Sequence, residues 1–324
     1  MLESNKITET LKKFIPQIIL LVLVIFFTIM NSRFLSTKNL VSVVRQVSTS
    51  GIACLGISFL LITGELDFSM GALYAFTGVF TASIYAKTGM PIYLVMLISL
   101  VCAAIISCFT CWITIKFNVP RLIISIAMQT AINGLNVIIS GNKTLYGLPD
   151  SIKWIGQGYI GPIPISTIIF ITLAFVVAFV LNKTYLGRYI MAVGGNNEVA
   201  RLSGINTNKI KYIASIIAAV LAGLAGLVAM SRTFCGSPSA GSSISSDIIS
   251  AAVLGGVSIM GGQGKTSGLV TGVIIIGALN VGLNMMNMSS NAQDIFKGSM
   301  LVVAIIIDSL TKSGRVKSRK KKAD

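Results

Sequence analysis

"IPISTIIFITLAFVVAFVLN" (163–182) runs for twenty residues without a charge, gives way to "KTYLGRYIMAVGGNNEVARLSGINTNKIK" (183–211), and is followed by "YIASIIAAVLAGLAGLVAMS" (212–231). A helix rises about 1.5 Å per residue, so roughly 20 apolar residues cross a 30 Å hydrocarbon core. Both flanking stretches reach that length, and both are continuously apolar rather than alternating, which argues against barrel strands. The middle stretch cannot follow them into lipid. It carries Lys183, Arg188, Glu198, Arg201, Lys209 and Lys211. At about 2.5–3.5 kcal/mol per ionised group at the membrane centre, burying six would cost around 15 kcal/mol or more. The pattern is two membrane helices joined by a long excursion into water.

The rest of the chain repeats the first half of that pattern. Of 324 residues 54% are hydrophobic and 11% charged, with a mean hydropathy of +0.84, whereas soluble domains run near a quarter charged. Ten apolar runs stand out: 14–31, 41–63, 69–86, 92–115, 122–140, 163–182, 212–231, 248–262, 267–288 and 295–310, the eighth and tenth being short. No small-residue cleavage site follows the first, so it reads as a retained helix rather than a signal peptide. The expectation is an all-α polytopic membrane protein of about ten transmembrane helices. It forms one transmembrane domain over 1–324, with 183–211 as a cytosolic loop and 312–324 as a basic cytosolic tail. Ten crossings put both termini on one side. An N-terminus in the cytoplasm places 18 of the 26 basic residues inside, as the positive-inside rule requires.

The net charge of +16 is then answered by anionic lipid headgroups beside the helices, and nucleic acid is not needed as a partner. The five cysteines are odd in number and lie mostly in apolar runs, so they predict packing residues rather than a disulfide framework or, for Cys108 and Cys111, a zinc site. With no histidine in the chain, no Ser-His or Cys-His catalytic arrangement is available. Ten acids lie mostly in loops, at helix ends or in tails, leaving no clear mid-membrane carboxylate of the kind that drives ion-coupled carriers. Glu65 and Asp67 sit in a bend flanked by Gly64 and Gly71, where Asp67 and Ser69 are placed to cap a helix start. Within "GGVSIMGGQGKTSG" (255–268), Gly264-Lys265-Thr266 mimics the end of a phosphate-binding loop. Its first glycine, though, is replaced by Ile259, so the stretch reads as a glycine-rich inner turn and the chain hydrolyses nothing.

Small residues recur every fourth position at Ala214, Ala218, Ala222 and Gly226, and again at Gly268 and Gly272, spacings that let membrane helices approach closely. Two amide rows are more suggestive. Asn280, Asn284 and Asn287 follow a helical face, and Gln129, Asn133 and Asn136 form a second set. Buried amides without partners cost about 1–3 kcal/mol each, so these side chains either bond helix to helix or line a path for an uncharged hydroxylated solute. In the polar excursion, Asn196 or Asn197 can cap a short helix, Glu198 suits its positive end, and Gly204 suits the left-handed position beyond its close. So short a helix is marginal alone, which calls for a brace and suggests a docking knob.

"GRYIMAVGGNNEVARLSGI" (187–205) resembles the cytosolic motif of ribose-type permeases, the membrane subunits of ATP-binding-cassette importers for simple sugars. "TGELDFSMG" (63–71), "FNVPRLIISIAMQTAINGL" (117–135), "YGLP" (146–149), "DIISAAVLGGVSIMGGQG" (247–264) and "LNVGLNMMNMSSNAQDIFKG" (279–298) are similar to further family motifs in the family's order. The resemblance covers about 40–310; Asn133 and Ser245 depart from it, standing where the family often has Arg and an acid. It implies a multi-pass protein of the bacterial plasma (inner) membrane. Gly194, Gly195, Asn196, Asn197, Glu198, Ala200, Arg201, Leu202, Ser203 and Gly204 would engage a cytosolic ATPase subunit, which holds the ATP and Mg; this chain would bind no cofactor and no metal. The further implied partners are an extracytoplasmic solute-binding protein and a second permease copy, identical or paralogous. The cargo implied first is ribose or another simple sugar, then a furanose-like signalling molecule or a nucleoside. A standalone carrier or channel is the alternative from the residues alone.

Overall fold

The apolar runs fold as helices whose ends are marked by residue types that cannot continue them. In the computed structural model, which describes residues 2–289, 291–299 and 302, they are α1 (Leu2–Met30), α2 (Thr37–Ile62), α3 (Ser69–Thr88), α4 (Ile92–Phe117) and α5 (Arg121–Ser140). A short α6 (Lys153–Gln157) and a two-residue hairpin, β1 (Tyr159–Ile160) with β2 (Ile163–Pro164), precede α7 (Ile165–Lys183). Then come α8 (Tyr185–Gly195), α9 (Asn197–Leu202), α10 (Thr207–Thr233), α11 (Ile244–Leu254), α12 (Thr266–Met285) and α13 (291–299). Pro91, Pro120 and Pro164 stand immediately before α4, α5 and α7, while left-handed Gly89, Asn118 and Gly141 close α3, α4 and α5, as helix boundaries favour.

Helix α2 is the axis of the molecule. Nearly every side chain from Val47 to Ile62 is buried, and α7, α10, α11 and α12 pack around it. With lipid as apolar as leucine, close backbone approach is what binds such helices. The expected small-residue row on α10 does this: Ala214, Ala218, Ala222 and Gly226 are all buried. A methyl on Gly56 would meet the Ala218 carbonyl of α10, and one on Gly226 would meet the Tyr74 carbonyl of α3. Gly268 and Gly272 press likewise on the Gly255 and Ala251 carbonyls of the α11 arm. Outward, α4, α5 and α7 show Leu97, Ile105, Ile138, Phe175 and Phe179, while Ser99, Ser107 and Ser125 turn inward. Apolar side chains outside and hydroxyls inside are the arrangement lipid demands.

Six helices, α2, α4, α5, α7, α10 and α12, are long and apolar enough to cross a membrane, and they match six of the ten runs read from sequence. Helix α3 falls on the third run but is richer in polar and small residues, and α1 carries a shorter apolar portion, Pro16–Met30. The eighth run, 248–262, needs correction. Its helix is α11, 11 residues long and shifted toward the N-terminus, and 255–265 is a turn in which Gly256, Gly261 and Gly262 are left-handed. Ahead of α11, residues 234–243 form no helix, because Gly236, Pro238 and a run of serines cannot sustain one. This run lies instead along α3, Gly236 against Gly78 and Gly241 against Gly71. Gly236 exchanges both backbone hydrogen bonds with Leu145, which satisfies the unwound chain inside the protein. Of the tenth run, 300, 301 and 303–310 lie outside the described residues, as does the basic tail 312–324.

Candidate functional site

The polar excursion folds as two short helices at one end of the bundle. Asn196 caps α9 by accepting hydrogen bonds from the backbone N–H of Glu198 and Val199, both at 3.0 Å. The cap is therefore Asn196 and not Asn197, which is the first residue of α9. Gly204 is left-handed at φ +83°, and Ile205 N–H donates to the Ala200 carbonyl across the helix end. Arg201 hydrogen-bonds Glu198 one turn away and holds its carboxyl below the usual carboxylate range.

The brace that so short a helix needs is a backbone wedge. Gly194 closes on the Ile62 carbonyl at the end of α2 so tightly that any side chain would collide with it, whereas a methyl on Gly195 would meet nothing within 4 Å. Gly262 N–H donates to the same Ile62 carbonyl at 2.8 Å, so the turn after α11 is wedged into the same corner. On α9, Ala200 alone faces inward; Val199 and Leu202 are 57% and 76% exposed. Two large apolar side chains three residues apart, held out on a capped turn, make a surface suited to a groove on another protein.

Behind the wedge lies a cluster that sequence reading missed. Arg121, the first residue of α5, is buried; its Nε donates to Asp67 Oδ2 at 2.9 Å and its Nη1 to Glu65 Oε2 at 3.0 Å and to Ser215 Oγ. Lys211 Nζ lies 2.9 Å from Glu65 Oε1. Two acids and two bases cancel, which is what allows the group to be buried, since leaving one charge uncompensated costs about 3–5 kcal/mol. The capping expectation for Asp67 holds for its other oxygen, which accepts from Ser69 N–H at 2.8 Å, but capping is only half of its role. Ser245, far away in sequence, completes that helix start: its Oγ accepts from Gly71 N–H at 2.9 Å and donates to the Phe68 carbonyl. The legible signal was an arginine opening an apolar helix, which requires an acid; which acid it meets was not legible.

The amide rows come out differently. Asn136 is buried and donates to the Ala72 carbonyl of α3 at 3.2 Å, and Gln129 and Asn133 are half-buried on the same helix. Asn280 is buried and donates to Asp247 Oδ2 at 3.0 Å. Asn284 is exposed and accepts from Gln293. Asn287 does not continue their face as the spacing suggested, because α12 ends at Met285 and Asn287 is left-handed at φ +54°. The expectation of no carboxylate within the bundle is also corrected. Asp247, 4% exposed on α11, takes Asn280 and, at 3.3 Å, Lys297 of α13. The two rows thus bond to different helices, Asn136 to α3 and Asn280 to α11.

A helical bundle joined through small residues, with one segment half unwound inside it, a buried neutralised charge knot and a capped knob on its surface, has the architecture of a transport permease. Residues 39–305 match the family described as branched-chain amino acid transport system / permease component, and the chain belongs to that family. It is similar to the ribose import permease protein RbsC of Haemophilus influenzae, 35% identical over 90% of this chain and 91% of that one. It is also similar to RbsC of Bacillus subtilis, 34% identical over 92% and 93%, and to the xylose transport system permease protein XylH of H. influenzae, 28% identical over 93% and 97%. No solved structure matches the chain. The protein is a multi-pass permease component of the bacterial plasma membrane.

Proposed function

We propose that this chain is the membrane-spanning subunit of an ATP-driven importer and moves a small neutral solute, ribose or another simple sugar first, into the cytoplasm. The relatives named for ribose and xylose support the cargo. The observation that carries the mechanism is the knob: α9 offers Val199 and Leu202 to solvent while Gly194 behind it is wedged on the Ile62 carbonyl. A cytosolic ATPase holding ATP and Mg grips α9. Its closure moves the end of α2 and the 255–265 turn together, because both meet Gly194. The charge knot of Glu65, Asp67, Arg121 and Lys211 ties the α2–α3 bend to α5 and α10, so the displacement spreads through the bundle. In this reading the N-terminus is cytoplasmic. The chain crosses ten times, with α1, α3, the composite 234–254 and the segment beginning with α13 added to the six long helices. A solute-binding protein delivers cargo from outside, and a second permease copy completes the pore. The permease itself carries out no covalent step.

The test is co-purification of the ATPase subunit with this chain. Val199→Asp combined with Leu202→Asp removes two apolar contacts worth roughly 1.5–3 kcal/mol each when buried. Loss of the ATPase and of ATP-driven uptake, with normal membrane insertion, is expected. Full retention of both would remove α9 from the interface.

A further inference from the structure

Between α3, the later half of α10 and the unwound run 234–243 lies a cavity of about 270 Å³, whose walls include Tyr74, Gly78, Gly226, Arg232, Cys235 and Ser237. It exists because the run that replaces a helix here is built of glycine, serine and alanine, and Gly78 and Gly226 opposite add no side chains. Exposed Thr233 and Ala240 stand at its mouth. None of the six amides in the two rows lines it.

Two of its polar groups have no partner among the described residues, whereas the Thr233 hydroxyl donates to the Ala229 carbonyl and that of Ser237 pairs with Ser239. Tyr74 is only 5% exposed, yet among the described residues its hydroxyl makes no hydrogen bond, and the Arg232 guanidinium makes neither a hydrogen bond nor an ion pair. A guanidinium offers five donors in a planar fork and a phenol both donates and accepts. Beside apolar walls such groups can be matched only by water or by a ligand that carries hydrogen-bonding groups of its own, so the cavity is matched to something rich in hydroxyls. The hydroxyls of Tyr74, Thr233 and Ser237 beside one cation fit a neutral polyol better than an anion, which would find a single charge and no second base. The volume, about 270 Å³, is just below that of drug-sized ligand sites, which run from about 300 Å³, and so suits one sugar ring rather than two.

We propose that this cavity is the resting place of a single neutral, polyhydroxylated ring within the bundle, with neighbouring hydroxyls on the Arg232 fork and the ring against Tyr74. The inference rests on the importer reading above and deepens it by assigning the residues that hold the cargo.

Cys235 lines the cavity and reports its occupancy. Intact cells carrying the whole transporter are treated with a small membrane-impermeant methanethiosulfonate, with and without millimolar D-ribose; Cys235→Ser identifies the label due to this thiol. ATP-driven D-ribose uptake is measured in the same cells. D-ribose should slow modification of Cys235 several-fold, and inorganic phosphate should not. Tyr74→Phe and Arg232→Gln, each losing about one hydrogen bond, should require about 5–10-fold more D-ribose for equal protection. An unchanged labelling rate without sugar shows that each variant keeps the cavity intact. Uptake without protection overturns the site and leaves the importer reading standing; protection without uptake does the reverse. Protection by phosphate alone makes this an anion site and overturns the proposal, and neither protection nor uptake overturns both.

Discussion

At the scale of single residues, two neighbouring glycines separate packing from function. A methyl on Gly194 would meet the Ile62 carbonyl and one on Gly195 would meet nothing within 4 Å, although both are glycines in the last turn of α8. Gly194→Ala should lose about 1–3 kcal/mol through overpacking, offset in part by up to about 1 kcal/mol of helix propensity. Gly195→Ala should stay within about 0.5 kcal/mol of the parent. Thermal unfolding of the detergent-solubilised permease distinguishes them; equal effects would mean the wedge is not closed. Arg121 makes the second case. Arg121→Ala strands Glu65 and Asp67 with Lys211 alone, at a cost of about 3–5 kcal/mol. Adding Glu65→Gln and Asp67→Asn to that variant should recover much of the loss, because the isolated charges go with their partner. Failure of the combined variant to recover would show that the fork's hydrogen-bond geometry, rather than its charge, holds the knot.

At the scale of elements, α9 depends on its ends because it is six residues long and an isolated helix of that length does not persist in water. Asn196→Ala should therefore weaken it by about 1 kcal/mol and raise hydrogen exchange at the Glu198 and Val199 amides about fivefold, whereas Asn197→Ala should leave both amides near the parent rate. Exchange that rises equally in the two variants would contradict the assignment of the cap. Residues 234–254 show the opposite dependence. Here the chain abandons helix for half the segment, and the glycines that prevent a helix also permit its close packing on α3, while Gly236 pairs its backbone with Leu145.

At the scale of the whole molecule, orientation decides what each face can do. The loop between α5 and α7 and the loop between α9 and α10 lie at opposite ends of α7, and exposed Tyr146 and Ser203 mark them. In intact cells an impermeant thiol reagent should label Tyr146→Cys, and it should reach Ser203→Cys only after permeabilisation. The reverse pattern would invert the transporter and place the knob outside. Charge argues for the stated orientation, since the basic residues gather at the Ser203 end, around Lys183, Arg188, Lys209 and Lys211.

What the sequence alone determined was set by local composition: six membrane-length helices from uninterrupted apolar runs, the packing stripe on α10 from its four-residue spacing, and the watery knob from six charges and its capping residues; the eighth run failed because glycines turn the chain there. These properties depend on neighbours along the chain and on the solvent, so they can be read without knowing the fold. Tertiary structure alone decided which distant groups meet. Arg121 found Glu65 and Asp67, Asp247 found Lys297, Ser245 came to serve the start of α3, and Gly194 rather than Gly195 became the wedge. Each of these depends on the separation of two backbones to within a methyl group, a quantity that no spacing along a single chain contains.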